Sequence, residues 1–344
     1  MSDQPTTYAN ASKDASDGTK DPFGGIASQR PQPLTERVCD RVLQFDYGVV
    51  LPMCAALPLS LGRTLAGLRG LINAAFDLDW RSLALRRRYV RGSTYRAMRQ
   101  LRPGASPGVH AVRRFIHYSR EEWEANLFRR ERHMRALSAA STVEGLAPLQ
   151  QMTNSGQGLV LLTMHFDSFC LGIVLLGLQG LKVHVMTSAI VEDPRLHPVV
   201  RRFFERKYRG MERYLNGGRM VHVERRPRYF YEALERGEVV VVLADLPPVR
   251  PGMHSAIVPF GGRRRRLTTG ALRIAEKTGS AIGAFLCTHT SGNRYRVQCT
   301  APFEADSDSL MQLYAWFDRH LREMPDRWWA ADLLGAMPEV EPDG

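Results

Sequence analysis

The stretch from residue 158 to residue 179 constrains the fold of this 344-residue chain more than any other part of the sequence. Residues 159–164 are apolar except for one threonine, which predicts a buried strand. The run ends at His165, and Asp167 and Ser168 are good N-cap residues for the apolar helix that follows. The sequence therefore predicts a histidine at the carboxyl end of a core strand, which is the edge where open α/β sheets bind ligands.

Two interpretations of His165 follow from this position. A histidine at such an edge can act as a general base on a hydroxyl group. It can equally do no more than hydrogen-bond its own turn. This stretch alone leaves both interpretations open.

Strand and helix patterns alternate after about residue 150. We expect strands near 158–164, 181–187, 219–223, 238–244, 281–288 and 294–300, and helices near 169–179, 195–209, 227–236, 267–278, 306–323 and 326–335. This order predicts an α/β fold with a mostly parallel central sheet flanked by helices.

The chain is expected to have three parts. Residues 1–35 are rich in Ser, Thr, Asp, Gly and Pro, which is typical of a disordered tail. Residues 36–150 are expected to form a helical, membrane-associating region, and residues 151–340 the α/β domain. We expect the last two parts to form one functional unit.

Two N-terminal segments carry the membrane prediction. Residues 47–62 hold no charge, but the run contains two prolines and is shorter than the roughly 20 residues of a spanning helix. It is therefore predicted to lie in the membrane interface, or else to pack as a helix on the domain. Residues 81–102 contain eight arginines and no acid, which predicts a basic amphipathic helix, interrupted at Gly92, for an anionic membrane surface. A solvated helix face is the alternative.

The composition limits the other classes of function. Formal net charge is +12, yet no nucleic-acid module accompanies it, so no nucleic-acid partner is expected. The five cysteines include no CxxC pair, and the histidines show no metal-ligand spacing, so neither a disulfide framework nor a metal site is expected. The sequence contains no phosphate-binding P-loop, no dinucleotide fingerprint and no Gly-x-Ser-x-Gly elbow. No cofactor is expected.

Two further segments could join His165 in a site. The apolar run 239–244 ends on Asp245, which we expect at the same sheet edge, either supporting the histidine or capping its own loop. After a Gly-Gly turn, four arginines and a threonine precede a predicted helix start, which suits an anionic partner or a solvated hairpin. These five residues are Arg263, Arg264, Arg265, Arg266 and Thr268.

The order of these landmarks resembles the lipid A late acyltransferases of the lauroyl and myristoyl type, within the lysophospholipid acyltransferase superfamily. The resemblance covers roughly residues 45–335. It rests on the apolar and then basic N-terminal helices and on five short motifs. These are His165-Phe166, the strand 238–245 that ends in aspartate, Pro259-Phe260-Gly261, Thr268-Thr269-Gly270 and Pro325-Asp326-Arg327-Trp328-Trp329.

The resemblance implies an enzyme on the cytoplasmic face of the cell inner membrane, held there as a peripheral or monotopic protein. It would move a fatty acyl chain from acyl carrier protein or acyl-CoA to a hydroxyl or amine of a lipid-like acceptor. His165 would be the base, with Asp245 or Asp167 as its support, while residues 263–266 and Thr268 would meet phosphate or the carrier protein. No metal would be required.

Two departures from the family pattern favour a second hypothesis. Relatives carry an acid five residues after the histidine, where this chain has Cys170, and often an arginine at the end of the next strand, where residues 185–188 offer none. The alternative is a catalytically impaired homologue that serves as a lipid-binding or carrier-binding partner subunit. Cys170 itself is expected to be buried and inert, or else to act as an acyl-accepting nucleophile beside His165.

Overall fold

The structure is a computed structural model that describes residues 34–84, 86–188, 196–248 and 253–341. The predicted tail at 1–35 lies outside these residues except for Leu34, which packs against the core, and Thr35, which directly precedes the first helix.

The N-terminal part of the described chain is helical. Its helices are α1 (Glu36–Phe45), α2 (Leu51–Ala56), α3 (Leu59–Phe76), α4 (Trp80–Ala84), α5 (Val90–Leu101), α6 (Pro107–Leu127) and α7 (Glu131–Ala140), with a π-helical turn at Asp46–Val50. Helices α3 and α6 approach closely at Gly70, where a Cβ atom would lie 2.6 Å from the Cα of Ile116. The contact therefore requires glycine at this position. Along the uncharged run 47–62, Tyr47, Leu51 and Cys54 are buried in the core.

The arginine-rich segment forms two helices, so the prediction of one helix interrupted at Gly92 was wrong. Gly92 lies inside α5, and the interruption comes earlier, between α4 and α5. Arg86 has a φ of 53° there, in the left-handed region, where an α-helix cannot continue. Arg81 does not belong to a solvated face, since it forms ion pairs of 2.9 Å with both Asp79 and Asp332.

The central sheet has seven strands within the described ranges. The strands of the structure are β1 (Thr142–Glu144), β2 (Leu159–Thr163), β3 (Val183–Thr187), β4 (Met220–His222), β5 (Val239–Leu243), β6 (Ser255–Phe260), β7 (Arg263–Thr268), β8 (Ala281–Ser291) and β9 (Arg294–Cys299). The sheet order is β1-β9-β8-β2-β5-β3-β4, while β6 and β7 form a separate antiparallel hairpin. Neighbours from β8 to β4 are parallel, and β9 runs antiparallel to β8. The predicted α/β fold with a mostly parallel sheet is confirmed.

Helices cover both faces of the sheet. They are α8 (Leu146–Asn154), α9 (Phe169–Leu178), α10 (Pro198–Glu212), α11 (Arg228–Glu235), α12 (Gly270–Thr278) and α13 (Ser307–Glu323), followed by 3-10 turns at Pro325–Arg327 and Ala331–Ala336. Leu159 and Leu161 of β2 point into one buried cluster, and Val160 and Leu162 point into another. Because both faces of β2 are covered, its sequence is continuously apolar rather than alternating.

Two of the predicted helices differ from the structure, one in where it begins and the other in its type. The segment predicted as the start of a helix at 267 is the end of β7, and α12 begins only at Gly270. In β7, the buried Arg265 and Leu267 alternate with the exposed Arg264 and Arg266, a period-2 pattern that is typical of a strand. The helix predicted at 326–335 is replaced by the two 3-10 turns, which place Trp328 and Trp329 between them.

Candidate active site

His165 and Asp245 lie side by side at the carboxyl edge of the sheet. Thr163 of β2 pairs in register with Leu243 of β5, so the residues two positions further on each strand are brought opposite each other. The Nδ1 atom of His165 lies 3.0 Å from Oδ1 of Asp245, and the backbone N–H of His165 donates to Oδ2 at 2.9 Å. The indole N–H of Trp328 donates to the same Oδ2 at 2.7 Å.

The surroundings of Asp245 keep its carboxylate ionised. Burial by itself would raise the pKa of this fully buried group, but the adjacent His165 and the three hydrogen bonds lower the pKa below the ordinary value of 3.8. An ionised carboxylate accepts the Nδ1 proton of the imidazole. In a neutral imidazole with its proton on Nδ1, Nε2 is the atom that can take a proton from another group.

Two aromatic rings fix the imidazole of His165. The centre of the Trp329 ring lies 4.4 Å from it and that of Phe169 lies 5.4 Å away. Trp329 also donates its backbone N–H to the carbonyl oxygen of His165 at 3.0 Å. The side chain of His165 remains 15% exposed. The histidine is therefore oriented and still accessible.

A cavity of about 380 Å³ opens beside His165. Its wall is mainly apolar and includes Phe169, Ile173, Met186, Val242, Leu246 and Trp329. The volume lies within the usual range of small-molecule sites, and the apolar wall suits a hydrocarbon chain.

Cys170 lines the same cavity but is buried. Burial raises the pKa of its thiol well above the ordinary 9.0, although the nearby Lys207 opposes this shift. The geometry therefore favours the inert interpretation over the nucleophile. The Nζ atom of Lys207 on α10 lies 2.5 Å from a carboxylate oxygen of Glu121 on α6, and both side chains are buried. Lys207 and Glu121 therefore both lie close enough to the thiol of Cys170 to affect its pKa.

Asp167 makes its contacts away from His165. Its Oδ2 atom accepts hydrogen bonds from Arg327 at 2.6 Å and from the backbone N–H of His289 at 2.9 Å, and its Oδ1 lies 3.5 Å from Nδ1 of His117. Burial opposes ionisation, but His117 and Arg327 hold the pKa of Asp167 well below its ordinary value. The residue has a φ of 44°, which turns its side chain towards these partners. Asp167 therefore joins the turn after β2 to the segment that carries Trp328.

Behind this turn lies a second buried carboxylate. Glu124 accepts hydrogen bonds from Ser168 at 3.0 Å, from Tyr295 at 2.8 Å and from Arg63 at 3.1 Å. Burial, opposed by Arg63 and reinforced by the charge of Asp167, raises the pKa of Glu124 to about 7. This carboxyl therefore changes its charge near neutral pH.

The predicted arginine cluster lies on the β6–β7 hairpin. Arg265 is buried and donates to Glu339 at 2.6 Å and to the carbonyl of Met337 at 2.9 Å, so it holds the C-terminal segment. The other three, Arg263, Arg264 and Arg266, are exposed. None of the four is among the residues that line the cavity beside His165. Thr268 donates to the carbonyl oxygen of Leu246, a residue of the cavity wall, at 3.3 Å.

Sequence reasoning did not identify three features of the site. They are the indole contact of Trp328 with Asp245, the packing of Trp329 on His165, and the Lys207–Glu121 pair. In the sequence the two tryptophans mark only a C-terminal motif, and no local pattern links α6 to α10. Within the described ranges, no three His, Cys, Asp or Glu side chains are grouped to hold a metal ion. Among those same residues, every helix is too short or too polar to cross a membrane.

Comparison with known proteins bears on the whole site. Residues 110–328 match the sequence model of the bacterial lipid A biosynthesis acyltransferases, and the match covers more than half of the chain. It runs from α6 to Trp328 and so includes His165 and Asp245. No curated protein matched the chain. The extent of the family match shows that the chain belongs to the bacterial lipid A biosynthesis acyltransferase family.

Proposed function

We propose that this protein moves a fatty acyl chain from a thioester donor, either acyl carrier protein or acyl-CoA, to a hydroxyl or amine of a lipid-like acceptor, with His165 as general base. One observation carries the proposal: a histidine oriented by a buried, ionised aspartate stands at an apolar cavity. Membership of an acyltransferase family supports the general chemistry.

The reaction follows from the orientation of the imidazole. Asp245 holds the Nδ1 proton, so Nε2 removes the proton of the acceptor hydroxyl as its oxygen attacks the thioester carbonyl carbon. The tetrahedral intermediate collapses, the carbon–sulfur bond breaks, and the departing thiolate takes the proton from the imidazolium. Asp245 stabilises the imidazolium without becoming protonated itself. The apolar cavity holds the acyl chain during these steps.

The remaining candidate residues have supporting roles in this proposal. Asp167 acts through Arg327 on the position of Trp328 rather than on His165 directly. Thr268 supports the cavity wall through Leu246. The exposed arginines 263, 264 and 266 form a cationic edge for the phosphate of the donor or for acidic side chains of a carrier protein.

We place the protein on the cytoplasmic face of the cell inner membrane, as a peripheral or monotopic protein, with the helices of residues 36–150 against the lipid. Phe45, Met53 and Phe76 on these helices are each about 60% exposed, which supports an interfacial position. The division into a tail at 1–35, this helical region and an α/β domain at 151–340 stays a prediction.

The direct test is acyl transfer by the purified full chain and by His165→Ala. The wild type should transfer acyl chains from acyl carrier protein or acyl-CoA to a lipid acceptor, and the variant should lose about 10³-fold or more in rate. A His165→Ala variant with full transfer would disprove the role of His165.

The alternative is a catalytically impaired homologue that serves as a partner subunit. It is favoured by Cys170 and by the lack of an arginine at residues 185–188. Asp245 offers His165 a carboxylate from a different strand, so Cys170 alone does not imply inactivity. Wild-type protein that binds acyl carrier protein or lipid, but transfers no acyl chain to any acceptor, would favour the partner subunit. Measured transfer by the wild type would exclude it.

A further inference from the structure

Helix α3 buries its charged side chains and exposes most of its large apolar ones. Its two arginines are buried: Arg63 pairs with Glu124 at 3.1 Å, and Arg69 pairs with Asp46 and with Glu122 at 2.6 Å. The exposed positions carry no charge at all. They are Ser60, Leu61, Thr64, Leu68, Leu71, Ile72, Ala75 and Phe76. A helix that faces water normally has the opposite arrangement.

The exposed apolar face of α3 ends at a basic depression. This depression, here called the arginine pocket, measures about 390 Å³ and is lined by the end of α3 and the start of α5. Its walls are Ala75, Phe76, Asp77, Arg88, Arg91, Gly92, Tyr95 and Arg96. The lining thus contains three arginines and one carboxylate, so basic residues outnumber acidic ones there. The depression is open at Gly92, where an added Cβ would meet only an Nη atom of Arg96, at 4.0 Å.

The carboxylate of the pocket has a structural task. Asp77 is 3% exposed, and its Oδ1 accepts hydrogen bonds from the backbone N–H of Arg91 and from Ser82, both at 3.1 Å. Burial and the nearby Asp79 raise the pKa of Asp77 to about 6. It therefore caps the start of α5. The guanidinium of Arg91 is exposed and donates to the carbonyl of Ala75, whereas that of Arg96 donates to Ser93.

We propose that the arginine pocket binds the phosphate of an anionic phospholipid headgroup while Phe76 and the apolar face of α3 enter the adjoining hydrocarbon boundary. In a bilayer the phosphate groups lie directly outside the hydrocarbon of the acyl chains. On the protein, the arginine pocket lies next to the apolar face of α3, so the guanidinium groups can meet phosphate while the apolar side chains meet hydrocarbon. Arg91 and Arg96 supply the donors, and Tyr95, which is 44% exposed, lies at the headgroup level. This inference rests on the proposed membrane association and adds a defined headgroup site to it.

A polyanion such as nucleic acid fits the same surface less well. Guanidinium groups attract any phosphate, but a nucleic acid would leave the uncharged face of α3 unpartnered beside it. The lipid explains both surfaces with one occupant. Comparison of vesicle binding with DNA binding therefore separates the two partners.

The experiment measures co-sedimentation of the full chain with vesicles of three compositions. They are phosphatidylcholine alone, phosphatidylcholine with phosphatidylglycerol, and phosphatidylcholine with oleic acid adjusted to the same surface charge. Wild type should bind the phosphatidylglycerol vesicles most tightly. Arg91→Ala/Arg96→Ala should weaken that binding about tenfold or more and should remove the preference over oleic acid.

Two control variants make the result specific. Arg213→Ala/Arg319→Ala removes two exposed arginines outside the pocket and should change binding little. Ile72→Ser/Phe76→Ser should weaken binding to all three vesicles, because it removes apolar contacts instead of phosphate donors. Circular dichroism checks that each variant is folded, and Arg96→Ala alone offers a milder change.

The outcomes are distinct. Equal effects of the pocket variant and of Arg213→Ala/Arg319→Ala would overturn the headgroup site while leaving membrane association intact. Failure of the wild type to bind any vesicle would overturn the membrane association itself. Equal retention on phosphatidylglycerol and oleic acid vesicles, or displacement by a DNA duplex at matched ionic strength, would also overturn a phospholipid site.

Discussion

The indole N–H of Trp328 lies 2.7 Å from Oδ2 of Asp245, so the carboxylate that orients His165 is held from the far end of the chain. Replacing Trp328 by Phe removes this donor and leaves only the backbone N–H of His165 on that oxygen. The pKa of Asp245 should rise. The free energy of unfolding should fall by about 1–3 kcal/mol.

The readout for Trp328→Phe is the pH dependence of kcat for acyl transfer. In the proposed mechanism His165 acts as base beside ionised Asp245, so the acid limb of the profile should move to higher pH. Trp316→Phe on α13 is the matched control and should leave the limb in place. If the acid limb stays at the same pH in Trp328→Phe, the indole hydrogen bond does not affect the protonation of the His165–Asp245 pair.

The pKa of Glu124 predicts a pH-dependent stability. Because its pKa is raised from 4.5 to about 7, the folded state favours the protonated form. Its contribution to stability is fully present below the unfolded pKa and is lost as the pH rises through 7. Glu124→Gln imitates the protonated form, so wild type and variant should have similar unfolding free energies at pH 4. At pH 8 the free energy of unfolding of the variant should exceed that of wild type by about 3 kcal/mol.

Urea unfolding at several pH values measures this difference directly, and subtracting one protein from the other cancels the remaining titrating groups. The matched control is Glu131→Gln, since Glu131 is exposed on α7. A difference for Glu124→Gln that stays constant with pH would contradict the prediction.

Removing one partner of the buried Lys207–Glu121 pair should destabilise the fold far more than removing both. Lys207→Met leaves a buried carboxylate without its cation and should destabilise the fold by about 3–5 kcal/mol. Lys207→Met combined with Glu121→Leu removes both charges and should recover most of that loss. Thermal unfolding of both proteins tests this, and a double variant no more stable than the single one would disprove the asymmetry.

In the proposed function, the volume of the cavity beside His165 should limit the length of the acyl chain that the protein accepts. Met186 on β3 lines it, so Met186→Trp should fill part of its volume and shift the preferred donor to shorter chains. Leu178→Trp enlarges an exposed residue of α9 that is not part of the lining and serves as control. Transfer rates from a series of donors give the profile. An unchanged profile for Met186→Trp would place the chain elsewhere.

More of the sheet than of the candidate site could be predicted from the sequence. Strands β2 and β5 were predictable because both are continuously apolar and buried on two faces, and their parallel register brings His165 and Asp245 to one edge. The contacts of Trp328 and Lys207 were not predictable, since they depend on how distant segments dock. A solvated hairpin was one of two interpretations of the arginine run, but strands β6 and β7 were not predicted, because the four consecutive arginines hide a period-2 pattern in which only Arg265 turns inwards.

The ion pair between Asp167 and Arg327 bridges 160 positions of the chain. During synthesis, His165 leaves the ribosome long before Arg327 and the two tryptophans that follow it. Until they arrive, Asp245 lacks its indole donor and His165 lacks the ring that covers it. The β2–β5 pairing can bring His165 and Asp245 together earlier, but the indole donor and the covering ring join them only after residues 327–329 have been made.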